Sequence, residues 1–169
     1  MSFVQYSINW ARGEIFEGTL IGIAGGLILL CSLLFWKFGT TPNAKAMFLP
    51  LLFVGALFTA AGASSYFSNH KRIQQFSESY KKDPKAFVKA EKKRVEGFQS
   101  LYTGTIIMAS VFFSLAVVFF WMSVNPHLRA TALALVVVGL SGLAIDSFSK
   151  ERADTYYGHI QSELQGADK

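Results

Sequence analysis

LYTGTIIMASVFFSLAVVFFWMSV, residues 101–124, contains no charged side chain. Wound as a helix at about 1.5 Å per residue, it covers the roughly 30 Å of a bilayer's hydrocarbon core. Three further blocks share this character: GTLIGIAGGLILLCSLLFW (18–36), AMFLPLLFVGALFTAAGASSYF (46–67) and ATALALVVVGLSGLAI (130–145). None of them carries a charge either. The whole chain has 169 residues and is 51% hydrophobic, with mean hydropathy +0.34. A soluble protein burying four such helices needs far more polar chain to cover them. The expected fold is therefore all-α: one integral membrane domain, residues 1–169, with four transmembrane helices.

The first block is too long and too late for a secretory leader, and no basic segment precedes it, so no cleavage is expected. The single cysteine, Cys31, falls in that block. It reads as a small packing residue, and no internal disulfide is possible.

Charge sets the expected topology. Thirteen of the 16 basic residues fall in residues 1–17, between the second and third blocks, or in the tail. Only Lys37, Lys45 and Arg129 fall in the other two connections. The positive-inside rule then puts both termini and the central segment in the cytoplasm of a bacterial inner membrane, with short loops at about 37–45 and 125–129 outside. Nucleic acid is not expected as a partner. The lysines flank membrane helices, where anionic lipid is nearer, and they alternate with Asp83, Glu91 and Glu96 as on a solvated helix face.

The two halves of the chain resemble each other. Arg12, Glu14 and Phe16 read R-x-E-x-F, as do Arg94, Glu96 and Phe98. Each triplet leads into an apolar block containing Phe-Trp (Phe35-Trp36, Phe120-Trp121), then a loop proline (Pro42, Pro126), then Val-Gly (Val54-Gly55, Val138-Gly139). Gly62 and Gly142 each precede an arginine, Arg72 and Arg152, by ten residues. This order predicts two parallel-repeat helical hairpins, about 12–80 and 94–163, related by an axis along the membrane normal. Arg12, Glu14, Glu17, Arg94 and Glu96 then mark inner mouths, with Arg72 and Arg152 at the ends of the returning helices. Acidic side chains near helix starts suit the macrodipole and are placed to pair with those arginines.

Between the halves, residues 69–100 predict a basic helical hairpin protruding from the membrane. Ile73, Phe76 and Tyr80 form a narrow apolar stripe on the first arm. Asp83 and Pro84 read as N-cap and first residue of the second arm, with Phe87, Val88, Val95 and Phe98 facing back. The tail reads as a cytoplasmic extension of the fourth helix, with Tyr156 and Tyr157 as headgroup anchors and the last residues, QGADK, frayed.

Small residues predict where helices pack. Gly18, Gly22 and Gly26 form two G-x-x-x-G steps, and Gly55, Thr59 and Ala63 repeat the spacing in the second block, so these helices are expected to pack together or against another subunit. The phenylalanines of the third block are left for lipid, and Pro50 should bend the second helix or mark its first turn.

Chemistry is sparse. Asp146, an inner-mouth charge at the edge of the fourth block, is expected to pair with Arg152 or a lysine; the alternative is a carboxylate that binds an ion or a partner at a pore mouth. The three histidines are not clustered, and neither metal-ligand spacing nor a phosphate-binding loop is present. No catalytic residue, cofactor or metal is predicted.

The stretches GEIFEG (13–18), WKFGTTPNAKA (36–46), KDPKAFVKAEKKRVE (82–96) and ERADTYY (151–157) resemble small hypothetical four-helix bacterial membrane proteins. That resemblance implies no activity. Small multidrug transporters share the helix count but carry a carboxylate inside their first helix. Here Glu14 and Glu17 precede the apolar core. The sequence thus points to a non-enzymatic, self-associating membrane scaffold or accessory subunit, offering a basic hairpin to a partner or to anionic lipid. An oligomeric channel or transporter subunit is the alternative.

Overall fold

In the computed structural model, which describes residues 2–167, four helices are about twice the length a bilayer requires. They are α1 (Phe3–Phe38, 36 residues), α3 (Phe48–Lys82, 35), α4 (Pro84–Met122, 39) and α5 (Pro126–Ala167, 42). At about 1.5 Å per residue each spans about 50–65 Å. The apolar blocks fill only one half of each helix, so the bundle has an apolar half and a polar half. All four are long and apolar enough to cross a membrane, and among the described residues there is no strand. Asp168 and Lys169, the end of the predicted frayed tail, lie outside the described residues.

Helix boundaries follow local chemistry. Asp83, extended at φ −154°, accepts a hydrogen bond from the Ala86 N–H at 2.9 Å, and Pro84 opens α4. The Asn125 side chain likewise accepts from the His127 N–H at 2.9 Å ahead of Pro126. Proline fits such first positions because its missing N–H would have no partner there. Pro50 falls in the first turn of α3 for the same reason. The connection read as a plain loop contains one more helix, α2 (Pro42–Ala46), capped by Thr41 Oγ1 accepting from Ala44 N–H at 3.2 Å.

Helix α1 packs chiefly against α3, and α4 against α5. The links 39–47 and 123–125 lie at the apolar end. The start of α1, the end of α5 and the Asp83 turn lie at the other, where the Phe3 ring is 6.4 Å from that of Tyr80, 6.0 Å from Phe87 and 6.1 Å from Tyr156.

The α1–α3 seam is built on glycine. A Cβ on Gly62 would fall 2.6 Å from Gly22 Cα, and one on Gly18 would fall 2.9 Å from Ser65 Cβ. A Cβ on Gly55 would fall 2.8 Å from the Leu29 backbone nitrogen, and one on Gly25 would strike the Thr59 backbone. Gly26 faces open space and Ala63 is exposed. The contact line runs 18, 22, 25, 29, 32 on α1 and 51, 55, 58, 62, 65 on α3. These steps alternate four and three, as along a left-handed supercoiled seam. A strict four-residue stripe turns by about 40° per step on a helix of 3.6 residues per turn, so Gly26 and Ala63 rotate out of the interface. Between α4 and α5 the Phe113 ring fills the space over Gly139, within 2.7 Å of where its Cβ would be, so this phenylalanine packs inward.

The two halves bury different things. In the apolar half a small cluster (Val54, Phe58, Ala134) is covered, while large side chains such as Phe53 and Trp121 stay exposed along the outer faces. In the polar half Phe3, Trp10, Phe76, Phe87, Val95, Tyr156 and Ile160 form a packed core drawn from all four long helices. Each such side chain contributes about 1.5–3 kcal/mol on burial. The 69–100 hairpin therefore does not stand free: its apolar faces close on the first turns of α1 and the last turns of α5.

Candidate functional site

The polar half holds a layered set of charges below its aromatic core. Glu14 and Glu17 lie one turn apart on α1 and so share a face. Arg152 of α5 reaches both: Nη2 donates to Glu14 Oε1 at 2.9 Å and also to the Glu17 carboxylate. Gly13 makes the crossing possible, because a Cβ there would come within 3.0 Å of Arg152 Cδ. The three side chains are 17%, 15% and 31% exposed, so the triad is mostly withdrawn from water and ties one hairpin to the other.

A second layer centres on Glu91, which is 5% exposed. Arg94 grips it in a fork, with Nε to Oε1 at 3.0 Å and Nη2 to Oε2 at 2.5 Å. The Tyr156 hydroxyl donates to Glu91 Oε2 at 2.8 Å and lies 2.7 Å from Ser7 Oγ. Burial, reinforced by the negative Glu91, pushes the Tyr156 pKa well above the ordinary tyrosine value. Tyr156 is thus a core residue, 3% exposed, rather than a headgroup anchor. The Arg94 guanidinium sits 4.2 Å from the Trp10 ring centroid and 5.7 Å from those of Phe76 and Phe98. Such a cation over a partly desolvated indole is held by the ring's quadrupole.

Arg72 occupies a third position. Its Nη1 donates to Asn69 Oδ1 at 2.8 Å, and it faces no carboxylate within ion-pair distance among the described residues. Burial lowers its pKa, as does the positive charge of Arg94, while Glu91 and Glu14 act the other way.

The remaining predicted positions scatter. Arg12 is exposed and unpaired among the described residues. Glu96 accepts from the Tyr157 hydroxyl at 2.6 Å and lies 3.8 Å from Lys92 Nζ. Arg94 and Glu96 are therefore not partners, and the two R-x-E-x-F stretches carry unlike contacts. Among the described residues Asp146 pairs with neither Arg152 nor a lysine. Its Oδ2 is buried without a hydrogen-bond partner, beside a groove of about 450 Å³ between α4 and α5 lined by Gln99, Tyr102, Thr103 and Lys150. Among the described residues no group of His, Cys, Asp and Glu side chains is arranged to hold a metal ion.

Sequence reasoning overlooked Ser7, Trp10 and Asn69. Trp10 sits three residues after Ser7 and four before Glu14 on one helix, a spacing that would have extended the first helix well before its apolar block. Compared with family models, curated proteins and solved structures, the chain gives no match.

Proposed function

We propose that this chain is a non-enzymatic polytopic membrane scaffold or accessory subunit that holds a lysine-bearing tip in the cytoplasm for an acidic partner protein. The observation that carries this reading is the contrast between the triad and the lysines. Arg152 is held by Glu14 and Glu17 inside the bundle, whereas Lys81, Lys82, Lys85 and Lys89 stay exposed without ion pairs among the described residues. Distance favours a protein over the protein's own membrane as partner. Lys82 lies fifteen residues past Phe67, about 22 Å along a helix. That exceeds the screening length of about 8–10 Å at physiological salt. The positive-inside asymmetry supports the orientation. The pairing of α1 with α3 and α4 with α5 supports a duplicated hairpin whose copies have since diverged in their charges.

Photo-crosslinking from the exposed position 86, between the tip lysines, in native membranes tests this. An acidic partner that dissociates with rising salt, and is lost in the Lys81→Gln/Lys85→Gln/Lys89→Gln variant, supports the scaffold; retention in that variant removes the basis for the reading. A transport role has one observation in its favour, the unpartnered Asp146 Oδ2. Ion flux through reconstituted vesicles that changes on Asp146→Asn would replace the scaffold reading with that one.

A further inference from the structure

The groove between the arms of the polar hairpin carries a chemistry that the tip lysines do not. It lies between α3 and α4, encloses about 580 Å³, and is lined by Arg72, Gln75, Ser79, Lys82, Glu91 and Arg94 among others. Two carboxylates face it, and both are already engaged: Glu91 by Arg94 and Tyr156, and Asp83 by the first turn of α4. The cations are not used up. A guanidinium has five N–H donors. Arg94 spends its Nε and one Nη2 donor on Glu91, and Arg72 spends one Nη1 donor on Asn69. The remaining donors of two neighbouring arginines have no carboxylate to receive them among the described residues.

We infer that Arg72 and Arg94, at the membrane-proximal end of this groove, form a binding site for a phosphate-bearing anion. Forked donors suit phosphate oxygens better than a point charge does. An anion there would also offset the burial and the Arg94 charge that now lower the pKa of Arg72. Depth along the helices agrees. Arg72 is five residues past Phe67 and Arg94 seven before Leu101, about 8–10 Å from the apolar blocks. That is the outer edge of the headgroup layer, which adds about 5–8 Å on each side of the hydrocarbon. The phosphate is therefore either a lipid headgroup entering from the side or a free phosphate entering from solution. The site shares the charged end with the proposed docking tip, and Lys82 borders the same groove, but the two arginines lie at its membrane-proximal end, so the two stand or fall separately.

The test uses full-length protein purified in a neutral detergent and follows its thermal unfolding midpoint against two probes: short-chain phosphatidylglycerol and inorganic phosphate. At least one should raise the midpoint in a saturable way. Stabilisation by the lipid alone assigns the site to a headgroup; stabilisation by inorganic phosphate as well assigns it to a soluble anion. Arg72→Gln should weaken the active probe about tenfold or more. Gln75→Glu, an exposed position one turn along the groove, should do the same without disturbing the core. Lys85→Gln/Lys89→Gln should bind as the parent does. No midpoint shift with either probe overturns the inference, and so does parental affinity in Gln75→Glu or in folded Arg72→Gln.

Discussion

Replacing Arg152 by methionine should loosen the contact between the two hairpins. Methionine keeps the aliphatic length of the side chain and removes the guanidinium. Glu14 and Glu17 then remain one turn apart on α1, 17% and 15% exposed, with no counter-charge across the interface. Removing one partner of a fully buried ion pair costs about 3–5 kcal/mol. Arg152 keeps 31% exposure, so water screens part of the interaction and the expected cost falls to about 2–3 kcal/mol. Equilibrium unfolding in mixed micelles, followed by circular dichroism, measures it. The informative control is the triple variant Glu14→Gln/Glu17→Gln/Arg152→Met. With the stranded carboxylates neutralised, it should recover at least about 1 kcal/mol relative to Arg152→Met alone, a coupling that independent sites would not give. Arg152→Met within about 0.5 kcal/mol of the parent, or a triple variant no more stable than Arg152→Met, would refute the reasoning.

The glycine seam makes a paired prediction. Gly62→Ala drives a methyl into the Gly22 backbone and should cost about 1–3 kcal/mol or more; Gly26→Ala meets nothing and should be neutral or stabilising by up to about 1 kcal/mol. Unfolding midpoints for the two compare them directly, and equal effects would contradict the seam. Tyr156→Phe should cost about 1–2 kcal/mol near neutral pH through the lost hydroxyl contacts with Glu91 and Ser7. Its pH dependence has a definite sign. The folded pKa is raised, so the stabilisation is complete below the ordinary value of 10.0 and is lost as pH climbs beyond it. Above that point the parent should lose up to about 1.4 kcal/mol per pH unit relative to Tyr156→Phe. Parallel stability curves between about pH 9 and 11 would show that Tyr156 is not shielded.

The number and apolarity of the long helices were legible because four uncharged blocks admit few alternatives, and the Asp83-Pro84 turn was legible because cap and first-turn chemistry are local. The seam was half legible. Gly18, Gly22 and Gly55 stand in it, but a four-residue step is not the period of a supercoiled pair, so Gly26 and Ala63 were misplaced and Gly25 and Gly62 underweighted. The charged end was least legible. R-x-E-x-F occurs once in each half of the chain, yet Glu14 meets Arg152 while Glu96 meets Tyr157. Which arginine takes which carboxylate depends on how the hairpins dock, a long-range property that no short motif encodes. Tyr156 looks the same in sequence whether it faces headgroups or closes a core. Only the helical turns before residue 18, whose length hides in a polar stretch, decide between these.

The central claim is that the chain threads the membrane four times with both termini and the Asp83 turn on the cytoplasmic side. Single cysteines at Asn43 and at Lys85, each introduced into a Cys31→Ser background, test it in spheroplasts with a membrane-impermeant maleimide. The account predicts labelling at position 43 in intact spheroplasts and at position 85 only after permeabilisation. Labelling of position 85 in intact spheroplasts, or equal labelling of both sites, would contradict it.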